Sequence, residues 1–195
     1  MHELQVHPSV ELAWVIANRE ASLAGCDCIS PAYVLLGVLK ILDENYDREA
    51  ESINLDEEGL QQINEMIVAC RPLLHLSERE LTMARRGLHL SLHDNNSDQM
   101  PTRVRMLQWS GEALYLHQKT VARAFNSKRQ TITLTDLLEE LLDNLPPEAA
   151  PFFQNHPTAR AAESSSGEAE GQVKYDSLLW RSSREPDKPD EDDAE

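Results

Sequence analysis

The sequence is short of cysteine, of aromatic residues, of basic residues and of long apolar runs, and each shortage removes a class of protein. Three cysteines, Cys26, Cys28 and Cys70, in a chain of 195 residues do not build a disulfide framework. No stretch approaches the roughly 20 apolar residues that span a bilayer, and the amino terminus lacks a basic segment followed by an apolar one. Lys and Arg number 18 against 34 Asp and Glu, and the resulting formal charge of -16 repels both a nucleic-acid backbone and an anionic membrane. The expectation is a soluble, cytoplasmic chain with reduced thiols and a protein partner, with neither nucleic acid nor membrane. Most of the charge simply maintains solubility, and a basic protein face suits what remains.

What is present falls into two parts. From Ala161 onward Ser, Gly, Pro and acidic residues dominate, and so little apolar surface cannot offset the entropy of ordering. A folded domain over residues 3–158 and a disordered acidic tail over 159–195 are therefore expected. The acidic run after Pro189 reads as a natural chain end. Within the tail, "VKYDSLLW" (Val173–Trp180) gathers Tyr175, Leu178, Leu179 and Trp180, a candidate short docking motif or a segment that folds back on its own domain.

Before Ala161 the apolar spacing is helical. Val10, Ala13, Trp14, Ala17, Ala21 and Ala24 recur at three- and four-residue intervals and stop at Gly25; their small size predicts close approach of a neighbouring helix. Ser30 and Pro31 read as N-cap and first helical residue of a run carrying Val34, Leu35, Val38, Leu39 and Leu42. A third helix should place Leu60, Ile63, Met66, Ile67 and Cys70 on one side, and a fourth should start at Ser77 with Glu80 in capping-box spacing. After the breaker-rich Asp94–Pro101, a long helical pattern runs from Thr102 to Lys128, interrupted by Gly111. Thr133, reinforced by Asp136, caps one more helix. Nothing alternates like a strand, so the fold class is all-α.

The two halves repeat. "ISPAYVLLGVL" (Ile29–Leu39) aligns without a gap to "ITLTDLLEELL" (Ile132–Leu142), pairing Ile29 with Ile132, Val34 with Leu137, Leu35 with Leu138, Val38 with Leu141 and Leu39 with Leu142. Two helical repeats related by an approximate twofold axis would produce this pattern. With "ANREASLAGCDCISPAYVLLGVL" and "HQKTVARAFNSKRQTITLTDLLEELL" side by side, the chain resembles the amino-terminal domain of Clp/Hsp100 unfoldases over roughly Val6–His156. The ending "LPPEAAPFFQN" stands where that family's second repeat has its last short helix. The resemblance implies a receiver of adaptors and substrates. The ATPase engine is not implied, because the chain has no Gly-x-x-x-x-Gly-Lys-Ser/Thr phosphate loop. Ala32 and Thr135 occupy the positions where some members carry a glutamate that recognises phosphorylated arginine; neither pairs with a guanidinium, so that specificity is expected to be lost. Tyr33 and Asp136 stand where the family has histidine.

Motifs for chemistry are sparse. Cys26-Asp27-Cys28 lacks both the two-residue spacer of thioredoxin-type sites and the second half of a zinc site, so its thiols read as ordinary turn residues. His89 and His93 are four apart, which is ligand spacing in principle, but "HLSLH" lacks the acid of a zinc-protease motif and reads as a helix face. His75 and His117 have no evident sequence partner. No Gly-x-Ser-x-Gly occurs, and the carboxylates are too many to single out a catalytic pair. Arg85, Arg86, Arg103 and Arg105 read as a salt-linked face.

No catalytic residue, metal or cofactor is therefore assigned. The expected function is a non-enzymatic protein-binding adaptor or accessory module, linked to a Clp-type ATPase or its substrates through a groove between the repeats. Tyr33, Ala32, Thr135 and Asp136 are placed at the starts of the paired helices, with Tyr33 and Asp136 on the groove's rim. The competing reading is a structural or regulatory subunit of an unrelated assembly that recruits its partner with Val173–Trp180. A small metal-dependent or thiol enzyme is a third.

Overall fold

A computed structural model describes residues 4–94 and 104–153. They belong to a compact unit, Met1–Ser165; the other unit, Ser166–Glu195, contains none of them. The architecture is an all-α bundle. Helix α1 (Pro8–Leu23) starts where His7 Nδ1 accepts from the Ser9 backbone N–H at 3.2 Å, and it ends at Gly25, whose φ of 76° suits a residue without Cβ. Helix α2 (Pro31–Leu42) follows the extended Ser30, as the Ser-Pro pair predicts, although the serine side chain makes no capping bond; its carbonyl accepts from Tyr33 and Val34 instead. Helices α3 (Asp47–Ser52) and α4 (Glu57–Cys70) come next, then a 3-10 turn over Arg71–Leu74 and helix α5 (Glu78–Asp94). The capping box at α5 is present: the Glu80 carboxylate accepts from the Ser77 backbone and hydroxyl at 2.8 and 2.6 Å.

The helical reading from Thr102 fails ahead of Gly111. Among the described residues of that stretch, Val104–Leu107 are not helical, and Ser110 is the N-cap of α6 (Gly111–Asn126), accepting from Ala113 N–H at 3.1 Å. Helix α7 (Leu134–Asp143) and a 3-10 turn at Ala150–Phe152 complete the described fold. Leu60 also departs from expectation: it stays 36% exposed, while Ile63, Ile67 and Cys70 form the buried side of α4.

Four two-residue strands escape the sequence reading, being too short to alternate. Strand β1 (Gln5–Val6) pairs in parallel with β4 (Thr131–Ile132), and β2 (Cys28–Ile29) with β3 (Gln108–Trp109). One displacement along the chain carries β1 onto β3, Pro8–Leu23 onto Gly111–Asn126, β2 onto β4, and Pro31 onto Leu134. It is the displacement that aligns Ile29 with Ile132. Under it the Gln5–Thr131 pair becomes Gln108–Cys28, so each strand pair maps onto the other.

Helix α2 lies at the centre. From Ala32 to Leu42 every residue except Lys40 is buried, and α1, α4, α5, α6 and α7 all pack on it. Each fully buried Leu or Ile there contributes roughly 1.5–3 kcal/mol. The closest approach is to α1, where Ala13, Ala17 and Ala21 present almost no side chain and a Cβ on Gly37 would overlap the Ala13 carbonyl oxygen. The small residues of α1 thus do what their pattern predicts. Among the described residues no helix is long and apolar enough to cross a membrane.

Polar side chains of α1 fasten the segment leading into β3. Asn18 donates to Arg105 O at 3.1 Å and accepts from Leu107 N–H at 2.8 Å, and Ser22 Oγ accepts from Arg105 N–H at 2.9 Å. These bonds explain why Asn18 and Ser22 are buried. Of the basic face, Arg85 pairs with Asp43 at 2.5 Å and Arg105 with Asp27 at 2.9 Å, whereas Arg86 is exposed; Arg103 lies outside the described residues.

Trp109 stacks on Trp14 with ring centroids 4.2 Å apart, and His117 meets both edge-on at 6.2 Å from Trp14 and 4.9 Å from Trp109. Burial pushes His117 below the ordinary imidazole range. A lowered folded-state value means that the unfolded chain binds the proton more readily. Stability is therefore full above about pH 6.5 and declines as pH falls below it. His117→Phe should flatten the fall in thermal midpoint between about pH 6.5 and 5; an unchanged slope would exclude His117 as a contributor.

Candidate functional site

A groove of about 510 Å³ opens between the start of α2, the outer face of α6 and the chain that leaves α7. Ser30, Pro31 and Ala32 form one wall, and Asn144 to Glu148, including Pro146 and Pro147, form another. Helix α6 contributes Gly111, Glu112, Tyr115, Leu116 and Lys119. Leu116 and Ala32 are buried, whereas Tyr115 is 55% exposed and carries Lys119 Nζ 5.3 Å above its ring. Leu114 and Phe125 are exposed on the same helix. Glu112 and Glu148 are exposed acids of the groove, while Glu140 is held at 2.7 Å by Arg123 Nε. Arg123 also bonds Glu139 and Asp143, and these three carboxylates raise its already high pKa above the ordinary arginine value despite partial burial. This clamp fixes α7 against α6 and hence the groove's width.

The same displacement along the chain relates this groove to a second face of the bundle. It carries Tyr115 to Leu12, Lys119 to Ile16, Ala32 to Thr135 and Leu145 to Leu42. That second face is covered by α4, which packs on α1, α2 and α7. Cys70 Sγ lies 3.4 Å from Thr135 Oγ1, and Arg71, at the end of α4, donates to Leu42 O at 2.9 Å. Leu12 and Ile16 are fully buried, whereas Tyr115 and Lys119 are exposed. The covered face is apolar and the open one mixed. A mixed face tolerates water and can be covered reversibly, because leaving it uncovered wastes little apolar burial.

The residues predicted for the site separate. Ala32 lies at the groove. Thr135 is half-buried at the end of α4. Tyr33 is 3% exposed and turns into the core, where its hydroxyl donates to Leu92 O at 3.3 Å and lies 3.2 Å from Cys26 Sγ. Asp136 is fully buried, accepts from the Thr133 backbone and hydroxyl at 2.9 and 2.7 Å, and pairs with Arg129. The expected rim role of Tyr33 and Asp136 is thus corrected: N-terminal helix positions whose Cα–Cβ bonds face the core cannot present a rim. Tyr175, Leu178, Leu179 and Trp180 lie outside the described residues. The groove residues that no motif marks are Glu112, Tyr115 and Lys119; the one signal is that Tyr115, a large aromatic, aligns with Leu12.

Cys26 follows α1, Cys28 lies in β2 and Cys70 ends α4. Cys28 is exposed, Cys26 half-buried, and Cys70 is buried, which pushes its thiol up and keeps it protonated and unreactive. Comparison with protein-family models, curated proteins and solved structures finds no match to this chain.

Proposed function

We propose that this chain is a non-enzymatic protein-binding module, a stand-alone double-repeat domain of the Clp amino-terminal type that serves a Clp-type unfoldase as adaptor or accessory factor in the cytoplasm. The observation that carries the reading is the open groove on α6, related by the internal repeat to a face that the chain fills with its own amphipathic helix α4. The two interchangeable strand pairs support the pseudo-twofold part of the proposal. The occupant is a segment of a partner protein, anchored by apolar side chains over Tyr115 and Leu116. Glu112 and Glu148 attract basic flanks, and an acidic chain steers them in.

The test is copurification of a Clp-type ATPase with the full chain at moderate salt, compared with the double variant Glu112→Arg, Tyr115→Ala. Both positions are exposed, so stability should move by no more than about 0.5 kcal/mol. Capture should fall at least tenfold, as loss of about 1.4 kcal/mol of binding implies. Absence of any Clp component with the wild type would refute the Clp link, and unchanged capture by the variant would refute the groove.

A further inference from the structure

Away from the groove, and sharing no residue with it, three side chains from two helices converge. Glu20 Oε2 of α1 lies 3.1 Å from His89 Nδ1 and 3.4 Å from His93 Nε2, both on α5. The three atoms lie within 4.8 Å of one another. All three are shielded from water and none is in line for a hydrogen bond, despite the short separations. Three buried polar atoms held together by charge attraction but without well-aligned hydrogen bonds are costly. An ion at their centre removes that cost.

We propose that Glu20, His89 and His93 hold a first-row divalent cation, zinc by the chemistry of the donor set. Two imidazoles and a carboxylate form a recognised zinc ligand set, and tetrahedral bonds of about 2.0–2.1 Å place ligand atoms roughly 3.3 Å apart, close to the 3.1 and 3.4 Å between Glu20 and the two histidines.

Lys40 Nζ donates to Oε1 at 2.8 Å, which orients the carboxylate and leaves Oε2 for the ion, an outer-shell arrangement of the kind that fixes metal ligands. His93 follows His89 by one helical turn, so both rings reach the same point, with centroids 4.2 Å apart. Glu20 is 4% exposed and closes the inner side, while the His89 ring is 40% exposed and lies toward the surface. The bound ion ties α1 to α5.

The experiment is calorimetric titration of zinc chloride into the full chain after stripping with a chelator, repeated on His89→Ala, His93→Ala and the double variant Cys26→Ser, Cys28→Ser. One equivalent should bind to the wild type and the cysteine variant, raising the thermal midpoint. Each histidine variant should bind at least tenfold more weakly with an unaltered far-ultraviolet circular dichroism spectrum. Cobalt substitution of the wild type reads the donors without any mutation: four-coordinate visible bands with no thiolate charge-transfer absorption are expected. Failure of the wild type to take up one equivalent, binding that survives both histidine substitutions, or a thiolate signature would overturn the assignment.

Discussion

Gly37→Ala should lower unfolding stability by about 2 kcal/mol, a large loss for a change that normally favours a helix. Alanine gains roughly 1 kcal/mol over glycine in a helix interior. Here the new Cβ would meet the backbone of α1, with the Ala13 carbonyl carbon at 3.2 Å and its oxygen closer still. Backbone cannot rotate away as a side chain can, so α1 and α2 must separate along their contact, the most extensive between helices of the described fold. Overpacking of this kind typically costs 1–3 kcal/mol, and a backbone clash belongs at the upper end. Urea unfolding should show a lower midpoint with an unchanged slope. Gly87 supplies the contrast: its added Cβ would meet the ring of Phe152, a half-buried side chain and not backbone, so Gly87→Ala should cost less than Gly37→Ala. Equal losses at both positions would refute the close α1–α2 approach as the cause.

Asp136→Ala should destabilise by about 3 kcal/mol. The carboxylate is fully buried, caps the first turn of α7 through the Thr133 backbone and hydroxyl, and pairs with Arg129. Losing the cap costs about 1 kcal/mol. Removing one member of a buried ion pair costs up to 3–5 kcal/mol, reduced here because Arg129 is 37% exposed and water can reach it. Thr133→Ala, which removes the hydroxyl and a methyl group but leaves the carboxylate in place, should cost about 1 kcal/mol. The gap between the two variants measures the ion pair and the lost backbone acceptor. If Asp136→Ala and Thr133→Ala cost the same, Arg129 contributes nothing and Asp136 is only a cap.

Much of the fold is visible in local patterns. Small residues of α1, the Ser30-Pro31 start of α2, the capping boxes at Ser77 and Thr133, and Gly25 at the end of α1 each express short-range chemistry within a few residues, and each appears where expected. The failures are of another kind. Helix α3 and the two-residue strands have no periodicity long enough to read, and the segment before Gly111 looks helical because its apolar residues suit a helix. What decides it is Asn18 and Ser22, distant side chains that take its backbone bonds.

The candidate sites divide along the same line. His89 and His93 are legible as a pair one turn apart, but their third partner, Glu20, is brought by the packing of α1 and α5 on α2. Tyr33 and Asp136 stand at the starts of helices, and sequence position alone does not say which way a side chain faces. Burial does, turning both inward and leaving Tyr115 and Lys119 at the groove. The helical class and the caps are legible in the chain itself, because they depend on residues close in sequence or on its periodicity. Tertiary structure alone decided which face α4 covers, which face stays open, and which charged atoms meet, because those depend on contacts between residues that the chain keeps far apart.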